Sequence, residues 1–487
     1  MARLRCAPNA QPRYKPVVTD PPRALSHPLP AGLRDLLPEE ARRRRALARR
    51  VLDHFALHGY QLVTPPAFEL AEVLERGLGA LDPADVLRFI EPESGEVAAL
   101  RPDMTPQIAR MVATRLGREP QPIRLCYEGT IVRRRQGRAR RHRQVPQAGV
   151  ELYGDVRDVR DVPAIPGAPG AVGTAGGDLE ILRLAASVVT SLGLTGAAID
   201  LGHASIARAL LDPLPRALAA EVGDALVQKD GARAERLLHG APTALAIARL
   251  CDLHGGGPGE ISGEALLTRA EAVLAGTAAE APLRELSALW MAATASTASS
   301  TEGAGELGPM LRLDIGEVRG FAYYTGAIFH LLAPGPGEPV GAGGRYDDLL
   351  ARFDAPMPAV GFALHLDAVA WAREAAGIRD EPPPSVVVAI DAEADAAPLI
   401  AALRARGITA IAHPENDAAA YAAAWRYTHL VTAAGEPRRF TIAPIAGVPA
   451  DLLDEGDPEA VAQAIARSSH SSHSSHSCHH EPHLVRR

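Results

Sequence analysis

Apolar side chains recur at helical spacing between residues 38 and 57, where Leu47, Val51, Leu52 and Phe55 fall on one stripe. Pro38 in the first turn, with Glu39 and Glu40 at the positive end of the helix dipole, starts this helix, and His58-Gly59 ends it. The period then shortens. Residues 60–63 read as a strand stopped by Thr64-Pro65-Pro66, and residues 70–77 as a second helix. Residues 87–90 and 97–100 read as paired strands around a turn at 92–95. They lead into 101–154, which holds a helix-like run, a strand-like run, a loop with seven arginines between Arg133 and Arg143, and an alternating strand over 147–153.

Beyond this stretch the pattern breaks. Residues 162–177 are dense in Pro, Gly and Ala and read as a loop insertion. A helix over 178–192 and a short strand over 197–201 follow. Residues 205–298 are rich in Ala and Leu at helical spacing, which predicts a helical insertion domain, and 293–305 read as a linker. Strand signals return at 311–318, in RGFAYYTGAIFHLL (319–332), in GAGGRYDDLL (341–350), and in AVGFALHLDAVAWA (359–372), a strand running into a helix. Strands, a helical insertion and strands again predict an antiparallel sheet with flanking helices, an α+β fold. Pro382, Pro383 and Pro384 form a stiff linker. After it, a nearly all-apolar strand at 385–390, a helix over 392–406, a strand at 408–412 and a further helix, strand and helix predict a small α/β domain over 385–467. The organisation is therefore a Pro- and Arg-rich tail (1–27), a core (28–372), the small domain (385–467) and a Ser/His-rich tail (468–487).

Composition narrows the class without fixing it. A chain of 487 residues with 47% hydrophobic content supports two or three domains with buried cores. A net charge of −7 argues against nucleic-acid binding by the chain as a whole. Nearly all positive charge is arginine, since the lysines are only Lys15 and Lys229. Cys6, Cys126, Cys251 and Cys478 are scattered without a CxxC pair, so no zinc site or disulfide framework is indicated and a reducing compartment fits. No apolar run of about eighteen residues occurs, and the expected location is cytoplasmic, with no membrane partner. The Ser/His tail reads as low complexity ahead of weak metal chelation.

Candidate chemistry concentrates in 101–154. Asp103, Thr105, Gln147 and Glu151 lie near strands beside a cluster of fixed cations, which suits a small zwitterion or an anion. Plainer readings stand beside this one. Gln147 and Glu151 alternate as a solvated strand face would, the arginine loop resembles any solvated charge run, and Tyr323 and Tyr324 fit a core rim. His365 reads as a packed or surface histidine, not a metal ligand.

Several stretches together resemble class II aminoacyl-tRNA synthetases, and among them the histidyl-tRNA synthetase family. The helix and strand that end at Pro66 resemble the first motif, and 127–154 resembles the second. RG-x-x-YYTG and GGRYD resemble the two histidine boxes, and PAVGFA (358–363) the start of the third motif. The resemblance covers residues 29–372. It implies a six- or seven-stranded antiparallel core that dimerises. It assigns Arg133 to the α-phosphate of ATP and Arg319 to adenylate formation. It implies a histidine pocket made of Asp103, Thr105, Arg133, Gln147, Glu151, Arg319, Tyr323, Tyr324 and Tyr346.

The departures fall on the ATP side. Arg135 stands where the family has the acid that reads adenine. Ala322 replaces the acid of the first histidine box. The GLER ending of the third motif is His365-Leu366-Asp367-Ala368, so Ala368 replaces the γ-phosphate arginine. Loss of such a preorganised cation removes roughly 2–4 kcal/mol. Asp103 in RPDMTP stands where the synthetases have Glu. A damaged ATP site beside a retained amino-acid pocket, with RPDMTPQIAR and QAGVELYG, resembles the synthetase-like regulatory subunits of ATP phosphoribosyltransferase. That resemblance implies no catalysis, no cofactor and no bound metal. It also implies a short catalytic subunit as partner, dimers within a hetero-octamer, and histidine as ligand. The regulatory subunits usually lack an anticodon-binding domain, whereas 385–467 sits where one would. Its acids (Asp451, Asp454, Glu455, Asp457) and its single adjacent basic pair, Arg438-Arg439, make a tRNA-reading surface unexpected and a degenerate remnant the better reading. The rival readings are a divergent histidyl-tRNA synthetase and a synthetase-derived RNA-binding protein.

Overall fold

The computed structural model of the chain describes residues 29–78, 86–133, 142–154, 175–241, 243–295, 304–318, 323–380, 382–390, 393–434, 439–445, 454–455 and 457–471. The expected tail at 1–27, most of the loop at 162–177 and the Ser/His tail beyond Ser471 lie outside them. The chain divides into two compact units, 1–378 and 379–487.

In the first unit the strands are β1 (Gln61–Leu62), β2 (Phe68–Leu70), β3 (Arg88–Ile90), β4 (Val97–Leu100), β5 (Ile123–Val132), β6 (Gln144–Tyr153), β7 (Ala198–His203), β8 (His254–Gly255), β9 (Leu311–Asp314), β10 (Ala327–Leu332), β11 (Gly341–Arg345) and β12 (Ala359–His365). Nine of them form one sheet in the order β1-β5-β6-β12-β11-β10-β7-β9-β8, and β2-β4-β3 form a small separate sheet. The neighbours from β5 through to β7 are antiparallel, as expected. The sheet is nevertheless mixed and wider than the resemblance implies. β1 pairs parallel with β5 near one edge, and β9 pairs parallel with β7 near the other.

Strand alternation separates two cores. Val150, Leu152, Phe362, Leu364, Phe329, Leu331, Ile199 and Leu201 face one side. They pack with Leu47, Val51 and Phe55 of the first helix, Pro38–Leu57, and with Leu182, Ala185 and Val189 of helix Ala175–Ser191. Each large apolar side chain buried here contributes about 1.5–3 kcal/mol by removal from water. Leu52, predicted on the same stripe, is only partly buried against this core. Tyr127, Tyr153, Tyr323, Tyr324, Ile328 and Tyr346 form the second cluster with Met104 and Ile108.

Between β7 and β9 the chain forms helices Ala204–Leu211, Arg216–Val227, Gly231–Leu238, Ala244–Leu250, Gly263–Leu274 and Glu280–Ala295, a helical insertion. Its buried leucines and isoleucines join the same core as the sheet, so it packs as a continuation of that layer. Two details differ from the pattern reading. The insertion returns a two-residue strand, β8, to the sheet edge beside β9. Helix Ala304–Met310 also begins within the stretch read as a linker. A two-residue strand carries no periodicity of its own, and Pro309 argues against a helix locally.

The second unit is an α/β domain. Its strands are β13 (Ser385–Ile390), β14 (Thr409–Pro414), β15 (His429–Ala434), β16 (Arg439–Pro444) and β17 (Asp454–Glu455), in the order β14-β13-β15-β16-β17. β13 lies parallel to both of its neighbours. Val386 and Val388 face Leu399, Leu403, Val461 and Ile465, while Val387 and Ala389 face Ala418 and Ala422. Cover on both faces is why β13 reads as an unbroken apolar run. The last helix, Pro458–Ser471, runs into the start of the Ser/His stretch. No helix among the described residues is long and apolar enough to cross a membrane. Cys126 and Cys251 are buried and free, and burial pushes the Cys126 thiol up to about 11.

Candidate functional site

The site exists because the sheet lacks side chains where it would otherwise be filled. On the face opposite the main core, β6 offers Gly149, β12 offers Gly361 and Ala363, and β11 offers Ala342 and Gly344. The register places them side by side, with Gly149 opposite Ala363, Ala363 opposite Ala342, and Gly361 opposite Gly344. The result is a trough of about 450 Å³. Two of the glycines are forced by what stands over them. A Cβ on Gly361 would lie 2.1 Å from Glu151 Oε2, and one on Gly149 would lie 2.5 Å from the Tyr127 hydroxyl.

Asp103, Thr105, Arg133, Gln147, Tyr323, Tyr324 and Tyr346 line this trough. They come from the turn before helix Thr105–Met111, the end of β5, β6, the segment before β10 and the end of β11. Glu151 lies next to them on the same face of β6, with only 1% of its surface exposed. Its Oε1 accepts a hydrogen bond of 2.7 Å from Thr105 Oγ1. Its Oε2 meets no donor at hydrogen-bonding geometry among the described residues, and neither do the Gln147 Oε1 and the hydroxyls of Tyr346 and Tyr153. Asp103 is better held. Its Oδ1 accepts from the Met104 N–H and its Oδ2 from the Tyr323 hydroxyl, both at 2.7 Å. Arg319, the remaining residue of the expected pocket, lies outside the described residues, as do Ala322 and Arg135.

The electrostatics follow from burial. Removal from water pushes the Glu151 carboxyl well above its ordinary range; the Thr105 hydrogen bond opposes this, and the nearby Asp103 charge adds to it. Burial also raises Asp103, but the Tyr323 hydroxyl, the Arg133 charge and two backbone N–H groups pull it back. Asp103 is therefore the more readily ionised of the pair, and Glu151 the more reluctant. A ligand cation set between them would be met by one charge and one ionisable acid.

Other residues of the resemblance prove structural. Arg101 donates from Nε to the Thr130 carbonyl (2.9 Å) and from Nη1 to those of Pro65 and Pro66, so it braces the corner at the end of the first motif. Arg345 of GGRYD points to the opposite face. It grips Asp178 through Nε (3.0 Å) and Nη2 (2.8 Å) and reaches Asp347 through Nη1. Asp347 in turn accepts from the Ala359 N–H at 3.1 Å. The Arg133 N–H donates to the Arg143 carbonyl and Arg143 Nε donates back, which staples the two ends of the arginine-rich loop. Ala368 is buried in the main core, in helix Leu366–Ala375.

Further polar residues line the trough. Glu317 and His330 approach within 3.9 Å, and His365 Nδ1 lies 3.2 Å from the Pro339 carbonyl. All three line the cavity. His365 is thus a half-buried wall residue. His330 was findable only through its partner, because the β10–β11 register sets it opposite Ala342. Among the described residues no group of three or more His, Cys, Asp or Glu side chains is placed to hold a metal ion.

A nine-stranded sheet of this order, a helical layer behind it and a tyrosine-rimmed trough in front define the histidyl-tRNA synthetase-like class. The family model for histidyl-tRNA synthetase matches residues 32–165 and 169–369. A crystal structure described as an ATP phosphoribosyltransferase regulatory subunit/histidyl-tRNA synthetase from Bacillus halodurans superposes with a TM-score of 0.67 at 24% identity, over 84% of this chain and 99% of that one. It speaks for the fold alone. Sequence relatives go further. The ATP phosphoribosyltransferase regulatory subunit of Anaeromyxobacter dehalogenans is 40% identical over 358 residues, covering 72% of this chain and 93% of the relative. That of Moorella thermoacetica is 38% identical over 352 residues, covering 71% and 82%. The chain belongs to the family of ATP phosphoribosyltransferase regulatory subunits, within the histidyl-tRNA synthetase-like fold.

Proposed function

We propose that the chain senses histidine on behalf of a separate, short catalytic ATP phosphoribosyltransferase subunit, the first enzyme of histidine biosynthesis, and performs no chemistry itself. In this reading the catalytic subunit needs it for activity, and occupancy of the trough by histidine carries feedback. It works in the cytoplasm as dimers within a hetero-octamer and does not take up tRNA. The observation that carries the reading is the difference between the two ends of one trough. The inner end keeps a carboxylate pair and three tyrosines whose rings stand 4.8–6.3 Å apart, a setting suited to an ammonium and a flat imidazole. The α-ammonium belongs between Asp103 and Glu151, and Gln147 Oε1 is free to accept from a ligand N–H.

The outer end is wrong for a nucleoside triphosphate. Phosphoryl and adenylyl transfer need cations that meet charge as it develops. Arg133 supplies one. The Glu317 carboxylate, which repels phosphate, lines the same trough, and Ala368 is packed into the core where the resemblance calls for an arginine.

Histidine-dependent exchange of pyrophosphate into ATP tests this directly. The purified chain is expected to stay at background, at least about a thousandfold below an active synthetase, given roughly 4 kcal/mol of lost transition-state stabilisation. In the same preparation, addition of a short phosphoribosyltransferase is expected to produce activity that histidine inhibits. Robust exchange would instead establish the divergent synthetase.

A further inference from the structure

We propose that helix Ala204–Leu211 is the element that couples the amino-acid trough to the helical insertion, with Ser205 and Arg208 acting as positioning residues for Tyr323 and Tyr324. The inference rests on the reading of the trough as a histidine site and adds where its occupancy is transmitted.

The geometry is a run of three consecutive carbonyls held by one helix. Arg208 Nη2 donates to the Tyr324 carbonyl and Ser205 Oγ donates to that of Thr325, both at 2.9 Å. The Ala204 N–H donates to the Gly326 carbonyl, also at 2.9 Å. The segment 324–326 leaves the trough and enters β10, so the helix fixes the backbone on which the two tyrosine rings are mounted. From the other side the Thr325 N–H donates to the Arg345 carbonyl at 2.8 Å, and the Asp347 N–H donates to Thr325 Oγ1 at 3.0 Å. The segment is thus clamped between the helix and β11. At its start, the Tyr323 hydroxyl is bonded to Asp103, one of the two acids that would meet a ligand ammonium. A change in the charge or hydrogen bonding of that carboxylate pulls on Tyr323 and, one residue further along, on the clamp.

The helix carries the displacement outward. Its start is capped by His203, whose Nδ1 accepts from the Ser205 N–H at 3.2 Å. That leaves the proton on Nε2, which faces Glu285 Oε2 at 3.2 Å. Glu285 belongs to helix Glu280–Ala295 of the insertion, and its side chain is 60% exposed. On the buried side, Ile206 and Leu210 share a core with Leu226, Ile247 and Leu250 of the insertion. Close-packed helices move as units, so a tilt of this helix shifts the neighbours seated on it.

Hydrogen exchange of the full chain with and without L-histidine, beside calorimetry of the same samples, tests the inference. In the wild type, saturating histidine is expected to slow amide exchange at least about fivefold over 204–250 and 280–295, as well as in β6 and β10. In Ser205→Ala/Arg208→Met the heat of binding is expected to persist, with Kd changed by less than tenfold, while protection contracts to the strands of the trough. Glu285→Gln, at an exposed position that leaves folding intact, is expected to keep the affinity and lose protection over 280–295 alone. Ser205→Thr, which keeps the hydroxyl, is expected to behave as wild type. Histidine binding by the wild type without protection in the insertion overturns this inference alone, as does protection there that survives the double substitution. No heat of binding in the wild type overturns the histidine reading and this inference with it.

Discussion

Replacing Glu151 with glutamine is expected to weaken histidine binding by about thirty- to a thousandfold, equivalent to roughly 2–4 kcal/mol for removing one partner of a buried charged contact. The change keeps the shape of the side chain and its bond to Thr105, so the loss reports charge and not packing. The empty protein should respond in the opposite sense. Because the folded carboxyl titrates well above its ordinary value of 4.5, folding holds a proton that the unfolded chain releases as pH rises past that value. The wild type is therefore fully favoured below the unfolded pKa and loses stability as pH climbs towards the folded one. Urea midpoints between pH 5 and pH 8 should fall in the wild type more steeply than in Glu151→Gln. On the proposed histidine reading, an entering ammonium draws the proton off Glu151. Calorimetry in two buffers of different ionisation enthalpy is expected to show release of close to one proton per site in the wild type and none in Glu151→Gln. Equal affinities for wild type and variant would remove Glu151 from the site.

The second large effect lies on the reverse side of the sheet. Asp178→Ala is expected to destabilise the first unit by about 3–5 kcal/mol, because it removes the buried carboxylate that accepts from Nε and Nη2 of the Arg345 guanidinium. Burial raises the Asp178 carboxyl, and the Arg345 charge draws it back; for Arg345 burial pulls downward, and the two acids beside it more than compensate. Asp178→Asn keeps one acceptor and should cost roughly half as much. A guanidinium chloride midpoint that does not move in Asp178→Ala would show that Arg345 finds water or another acceptor.

The sequence made much of this legible, for physical reasons that can be named. The stripe of Leu47, Val51 and Phe55 emerged because one helix face meets one core. Gln147 and Glu151 emerged because polar residues interrupt the otherwise apolar run of β6. The trough did not emerge. Its walls are side chains, but its floor is their absence, and Gly149, Ala342, Gly344, Gly361 and Ala363 separately resemble weak strand positions. Only the register across three strands lines them up. His330 is illegible for the same reason, since it gains meaning from a partner on a different segment. Arg345 was legible as part of a box while its role was not, because strand parity alone decides that it points at Asp178 and away from the trough. β8 has two residues and no pattern to read.

The unsatisfied oxygens around Glu151, Gln147 and Tyr346 have one more consequence. A protein whose interior is completed by a metabolite is less durable when that metabolite is scarce. By mass action, a ligand at a hundred times its Kd adds about 2.7 kcal/mol to the folded form, which lowers the population open to proteases about a hundredfold. If histidine fills the trough as proposed, its scarcity would both release the inhibition and shorten the lifetime of the chain, so that abundance as well as occupancy tracks supply.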